Sequence, residues 1–187
     1  MNRRTVLKNL ALVIGGSVLL PSCLHSDGTT YAQLKHVQIN EDQQNLMAEI
    51  AETIIPKTTT PGAKDLNLPA FTLKMIDDCF NKKEQEAFVA GLVAFQNKIK
   101  REHGKDFGDL DSKQREAILV AIEKAAQNVK PNTKPDPATS FFWSIKNQTI
   151  FGYTTSQYFM TKEIVYELVP GRYNVHYPVS KLKLKTA

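Results

Sequence analysis

Four histidines, two cysteines and carboxylate pairs such as Asp77–Asp78 and Glu84/Glu86 are among the residues of this chain suited to acid–base, nucleophilic or metal chemistry. Catalysis needs such groups to converge with matched proton affinities, and the spacing here gives no sign of it. His25 and His36 fall in a polar lead-in, His103 at the polar end of a helical pattern, and His176 among aromatics in "RYNVHYP". No two histidines stand four apart, the spacing that places two imidazoles on one helix face for zinc. Asp77 and Asp78 are consecutive and cannot share a helix face, while Glu84 and Glu86 read as solvent-facing. Cys23 and Cys79 form no thiolate cluster and no paired-cysteine haem attachment motif. Gly15-Gly16 and the separated Gly104 and Gly108 make no dinucleotide fingerprint or phosphate loop. The sequence therefore predicts no catalytic residue, no metal ligand and no cofactor bound by this chain.

The clearest instruction lies at the start. Arg3, Arg4 and Lys8 precede an apolar run from Leu10 to Leu20, too short for the roughly 20 residues of a membrane-spanning helix and suited to a signal-peptide core. "RRTVLK" resembles a twin-arginine export signal, with Arg3 and Arg4 as its pair, and "LPSC" resembles a lipobox with Cys23 as the lipidated residue. The expected organisation is a signal peptide over 1–22, a tether over 23–39 and one domain over 40–187. Localisation is then the periplasmic side of a bacterial membrane, held by the lipid.

Removing that leader drops the formal net charge from +5 to +2, so most of the basicity belongs to targeting and no nucleic-acid face is expected. The terminal "SKLKLK" reads as a solvated end. With Cys23 lipidated, Cys79 has no intrachain partner and is expected as a buried core thiol.

Helical periodicity fills the rest. Asn40 with Gln43 forms a capping pair ahead of Leu46, Ile50 and Ile54, and Pro56 stops that helix. "PKTTTPGAKDLNLP" is a long Pro/Gly loop whose threonines can satisfy local amides. A second helix is predicted over Pro69–Phe80, with Phe71, Met75, Ile76 and Cys79 toward one side. A third runs over Lys82–Glu102 with Phe88, Leu92, Phe95 and Ile99 inward and Gly91 allowing close packing. Asp111 and Gln114 cap a fourth, which presents Ile118, Ile122 and Ala125 or Ala126 to the core. After the "KPNTKPDP" loop, Phe141, Phe142, Ile145 and Thr149 mark a fifth, Gly152 permits a break, and a short helix and a turn-rich tail follow, with an extended piece possible near Tyr173–Val179. The fold class is all-α: a compact four- or five-helix domain with long Pro/Gly loops and an irregular C-terminal tail.

"IAETIIPKTTTPGAKDLNLPAF", "FFWSIKNQTIFGYTTSQ" and "YELVPGRYNVHYP" together resemble the gluconate 2-dehydrogenase subunit 3 family. That resemblance implies a small exported subunit accompanying a large flavin-dependent oxidoreductase, with a cytochrome c subunit in the best-known arrangement. FAD and haem would sit in those partners, and this chain would support assembly, export or stability of a sugar-acid or polyol dehydrogenase. Aromatic density and irregular backbone make Thr60, Pro61, Gly62, Trp143, Tyr153, Gly171, Tyr173 and His176 the candidate partner contacts. An independent periplasmic ligand-binding lipoprotein is the alternative reading.

Overall fold

The computed structural model describes residues 31–127 and 135–164, together with Gly171, His176 and Pro178. Five α-helices follow one another: α1 over Glu41–Ile54, α2 over Leu68–Cys79, α3 over Lys82–His103, α4 over Ser112–Gln127 and α5 over Pro137–Thr154. A 3-10 turn, Phe107–Asp109, precedes α4, and a π turn, Phe159–Glu163, follows α5. No strand occurs among the described residues, so the all-α expectation holds.

Polar side chains fix where four of the five helices start. Asn40 Oδ1 accepts from the Gln43 amide at 2.9 Å while Gln43 Oε1 accepts from the Asn40 amide at 3.1 Å. Asp111 and Gln114 make the same reciprocal pair, and so do Asn81 and Glu84 at the head of α3. Asp136 accepts from the Ala138 and Thr139 amides and from the Thr139 hydroxyl, with Pro137 in the first turn of α5. Burial pushes the Asp136 carboxyl up, but those three donors outweigh it and hold its pKa below the ordinary carboxylate value.

α5 is the hub. It touches all four other helices, most extensively α3, and its Phe141, Phe142, Ile145 and Thr149 are buried. The aromatic centre is built by Phe141 with Phe88 at 5.0 Å and Phe95 at 5.5 Å, Phe95 also meeting Phe107 at 5.7 Å. Such ring pairs contribute about 0.5–1.5 kcal/mol each beyond their burial. The close approach of α3 to α5 depends on Gly91, where a Cβ would stand 2.6 Å from the Pro137 carbonyl oxygen and 2.9 Å from Phe141 Cβ.

Several side chains face otherwise than expected. α2 buries Leu68, Thr72, Leu73, Ile76 and Asp77, while Cys79 at its end is exposed, its thiol 4.0 Å from Met75 Sδ. The buried pairs 72–73 and 76–77 recur every four residues; position 79 projects to the same side as Thr72 but is the last residue of α2, beside exposed Asp78. Of the alternatives Ala125 and Ala126 in α4, Ala125 is exposed and Ala126 half-buried, behind the buried Ile118, Leu119 and Ile122. α5 runs through Gly152 without a break. The predicted short helix after it is the π turn, closed by the Ile164 amide donating to the Phe159 carbonyl. The extended piece expected near Tyr173–Val179 falls mostly outside the described residues.

The largest departure precedes α1. Residues 31–39, expected within a tether, form an irregular strap seated on the helices. Ala32 and Val37 are buried, with Tyr31, Leu34 and Ile39 packed beside them. Gln44 holds one end: its Oε1 accepts from the Tyr31 and Ala32 amides, and its amide nitrogen donates to the Ala32 carbonyl. Asp77 holds the other, accepting from the amides of Lys35, His36 and Val37 at 2.7, 2.8 and 2.9 Å.

Candidate functional site

The loop between α1 and α2 is a built structure, organised by Glu52 in the last turn of α1. Its two carboxylate oxygens accept from the Lys57 and Lys64 amides, at 3.0 and 2.8 Å, and so pin both ends of the loop. The Ala63 amide donates to the Ile55 carbonyl and the Leu68 amide to the Ala63 carbonyl, which passes the chain directly into α2. Gly62 lies against this clamp: a Cβ there would come within 2.5 Å of Glu52 Oε1 and 2.6 Å of the Lys57 nitrogen. Asp65 closes the inside of the turn on the Gly62 amide and the Lys57 ammonium. The Lys57 hydrogen bond and then the Gly62 amide hold its carboxyl below its ordinary range. Thr58 and Thr59 project into solvent, with Thr60 and Pro61 half-buried.

The end of α5 meets this loop. Tyr153 is half-buried against Ala51, Ala63 and Leu68, beside Ile55 and Leu66. Its ring also contacts Phe159 at 5.4 Å and Tyr158 at 6.5 Å. Glu163 accepts a hydrogen bond from the Tyr158 hydroxyl at 2.5 Å, which together with desolvation pushes that phenol up to about 12. Next to Tyr153, Gly152 receives the Phe71 ring, and Phe71 pairs with Phe151 at 6.1 Å. Phe151 is 51% exposed and Ile150 is 40% exposed. One pole of the domain thus carries a rigid Thr/Pro loop and a partly open aromatic cluster, the combination of anchor and polar edge found in protein interfaces.

The eight candidate contacts divide accordingly. Thr60, Pro61, Gly62 and Tyr153 come together at this pole, with Gly62 buried and acting through the loop's shape. Trp143 lies apart, facing α4: Lys146 Nζ sits 5.0 Å from its ring centroid and pairs with Glu123. Gly171 and His176 are exposed. Tyr173, Arg3, Arg4 and Cys23 lie outside the described residues. Phe151 was not singled out from the sequence, although the inward set Ile145, Thr149 and Gly152 puts positions 150 and 151 on the outer side of α5. Glu52 and Asp77 have no such local signal.

Away from the pole, Glu49 and Asp77 are engaged structurally. Burial pushes the Glu49 carboxyl up, but Lys64 and Arg115 outweigh it and hold the group below its ordinary range. Arg115 also donates to the Leu110 and Gly108 carbonyls, so this pair fastens α1 to the 3-10 turn and α4. Asp77 is 1% exposed and its lone pairs are occupied by three amides, while Asp78 faces solvent. Among the described residues no group of three or more His, Cys, Asp or Glu is placed to hold a metal, and no helix is long and apolar enough to cross a membrane.

The described residues thus form a small helical domain with a hydrogen-bonded loop and a partly open aromatic cluster at one pole. The family model for gluconate 2-dehydrogenase subunit 3 matches residues 41–171, and the chain belongs to that family. No curated protein and no solved structure gives a match.

Proposed function

We propose that this chain is the non-catalytic small subunit of a periplasmic, flavin-dependent sugar-acid or polyol dehydrogenase complex, and that the loop–aromatic pole seats the large flavoprotein. Family membership over residues 41–171 carries the reading; the preformed pole, with Phe151 half open to solvent, supports it. FAD and haem belong to the partners, a flavoprotein and a cytochrome c subunit, and this chain contributes shape and apolar contact. Arg3 and Arg4 direct export and a lipid on Cys23 holds the assembly at the membrane.

Co-purification from native membranes tests the proposal. A tagged chain should bring down a large flavoprotein in about equal amount. Recovery as a stable monomer, with a neighbouring flavoprotein fully exported and active in a strain lacking this chain, would overturn it and return weight to a ligand-binding lipoprotein.

A further inference from the structure

Strap and loop occupy opposite poles. α1 leaves the strap at Asn40 and reaches the loop at Ile55, while α2 leaves the loop at Leu68 and returns to the strap at Asp77. With 14 and 12 residues, these helices separate the poles by roughly 15–20 Å. Cys23 precedes Tyr31, the first described residue and one held by Gln44, by eight residues, a stretch that spans at most roughly 27 Å when fully extended. A domain of this size is roughly 35 Å across.

We propose that the strap pole is the membrane-facing surface of the protein, and that the short connection to a lipid on Cys23 holds the loop–aromatic pole away from the bilayer, open to a soluble partner. This rests on the lipid-anchor part of the functional reading. With the strap pole down, the connection uses a fraction of its reach. Inverted, it must run from Tyr31 along the side of the domain past the loop, taking up more than half of its full extension at a cost in chain entropy. Charge does not decide the orientation, because exposed Lys35, Lys82 and Lys83 are offset by Asp78, Glu84 and Glu86. The fastening of the strap decides it. If Asp77 and Gln44 released residues 31–39, the connection from Cys23 to Asn40 would lengthen to 17 residues, or roughly 57 Å, and either pole could face down.

The test uses the purified, lipidated full chain on vesicles of phosphatidylethanolamine and phosphatidylglycerol, with no partner present, so its outcome is independent of co-purification. In a Cys79→Ser background, a donor dye is placed at Gln38→Cys or Thr59→Cys and an acceptor on the lipid headgroups. Energy transfer from position 38 should exceed that from position 59 at least about twofold, given a pole separation of roughly 15–20 Å. A roughly 20-residue Gly/Ser insert after Asp27 should bring the two values together. Equal transfer at native length, greater transfer from position 59, or a chain that does not stay on the vesicles would each overturn the proposal.

Discussion

Asp77 shows how much one carboxylate can organise. Three consecutive amides of the strap converge on it, and a charged acceptor strengthens each bond relative to a neutral one. Asp77→Ala leaves those amides without a partner; the strap can lift to rehydrate them, which caps the cost at about 2–3 kcal/mol. The loss should be visible as a lower urea midpoint and as faster amide exchange confined to residues 35–37. Burial raises the Asp77 pKa, but the Lys35, His36 and Val37 amides outweigh it and bring it below the usual value. A depressed native pKa means that the stabilisation is fully present above the unfolded value of about 4 and is lost as pH falls through the native one. Thermal melts should therefore show the gap between wild type and Asp77→Asn widest near neutral pH and shrinking in strong acid. A gap that grew on acidification would refute the assignment.

At the scale of elements, the tightest constraint is the α3–α5 contact at Gly91. Gly→Ala in an exposed helix gains up to about 1 kcal/mol of propensity, whereas forcing a methyl into a filled contact costs about 1–3 kcal/mol. With the Pro137 carbonyl oxygen only 2.6 Å from the would-be Cβ, the packing cost wins. Gly91→Ala should destabilise the domain by about 1–2 kcal/mol in denaturant unfolding, despite raising the helix propensity of α3. This helix was also the most legible part of the sequence. Phe88, Leu92, Phe95 and Ile99 all point inward as their spacing predicts, and the capping pairs at Asn40 and Asp111 form because their partners are three residues away. What spacing could not give was anything made with distant backbone. The Asp77 clasp joins positions about 40 apart in sequence, and backbone amides carry no residue identity to read. Glu52 likewise has no mark of a loop clamp, although the Pro/Gly loop it organises was evident. Cys79 was misplaced for another reason: it lies on the same side of α2 as buried Thr72 but is the last residue of the helix, and periodicity gives the angle of a side chain without giving how far along the helix the packing reaches.

At the scale of the whole molecule, stability and assembly should separate. Phe151 is half exposed and touches Phe71 at one edge, so Phe151→Glu should change unfolding stability by no more than about 0.5 kcal/mol. As an interface anchor it should cost about 2 kcal/mol or more of binding, read as a more than tenfold fall in flavoprotein recovered with the chain. Trp143→Ala offers the contrast, because its ring packs on the core and under Lys146: it should lower the melting temperature while the folded fraction still recovers the flavoprotein. The same separation bears on export. On the proposed reading, a twin-arginine route, which accepts folded cargo, would let a cofactor-loaded flavoprotein without a signal of its own travel bound to the loop–aromatic pole. Replacing Arg3 and Arg4 by lysine should then strand both proteins in the cytoplasm, and Phe151→Glu should strand the flavoprotein alone while this chain is still exported. Fractionation of the two strains distinguishes the steps, since a flavoprotein that reaches the periplasm in both has a route of its own.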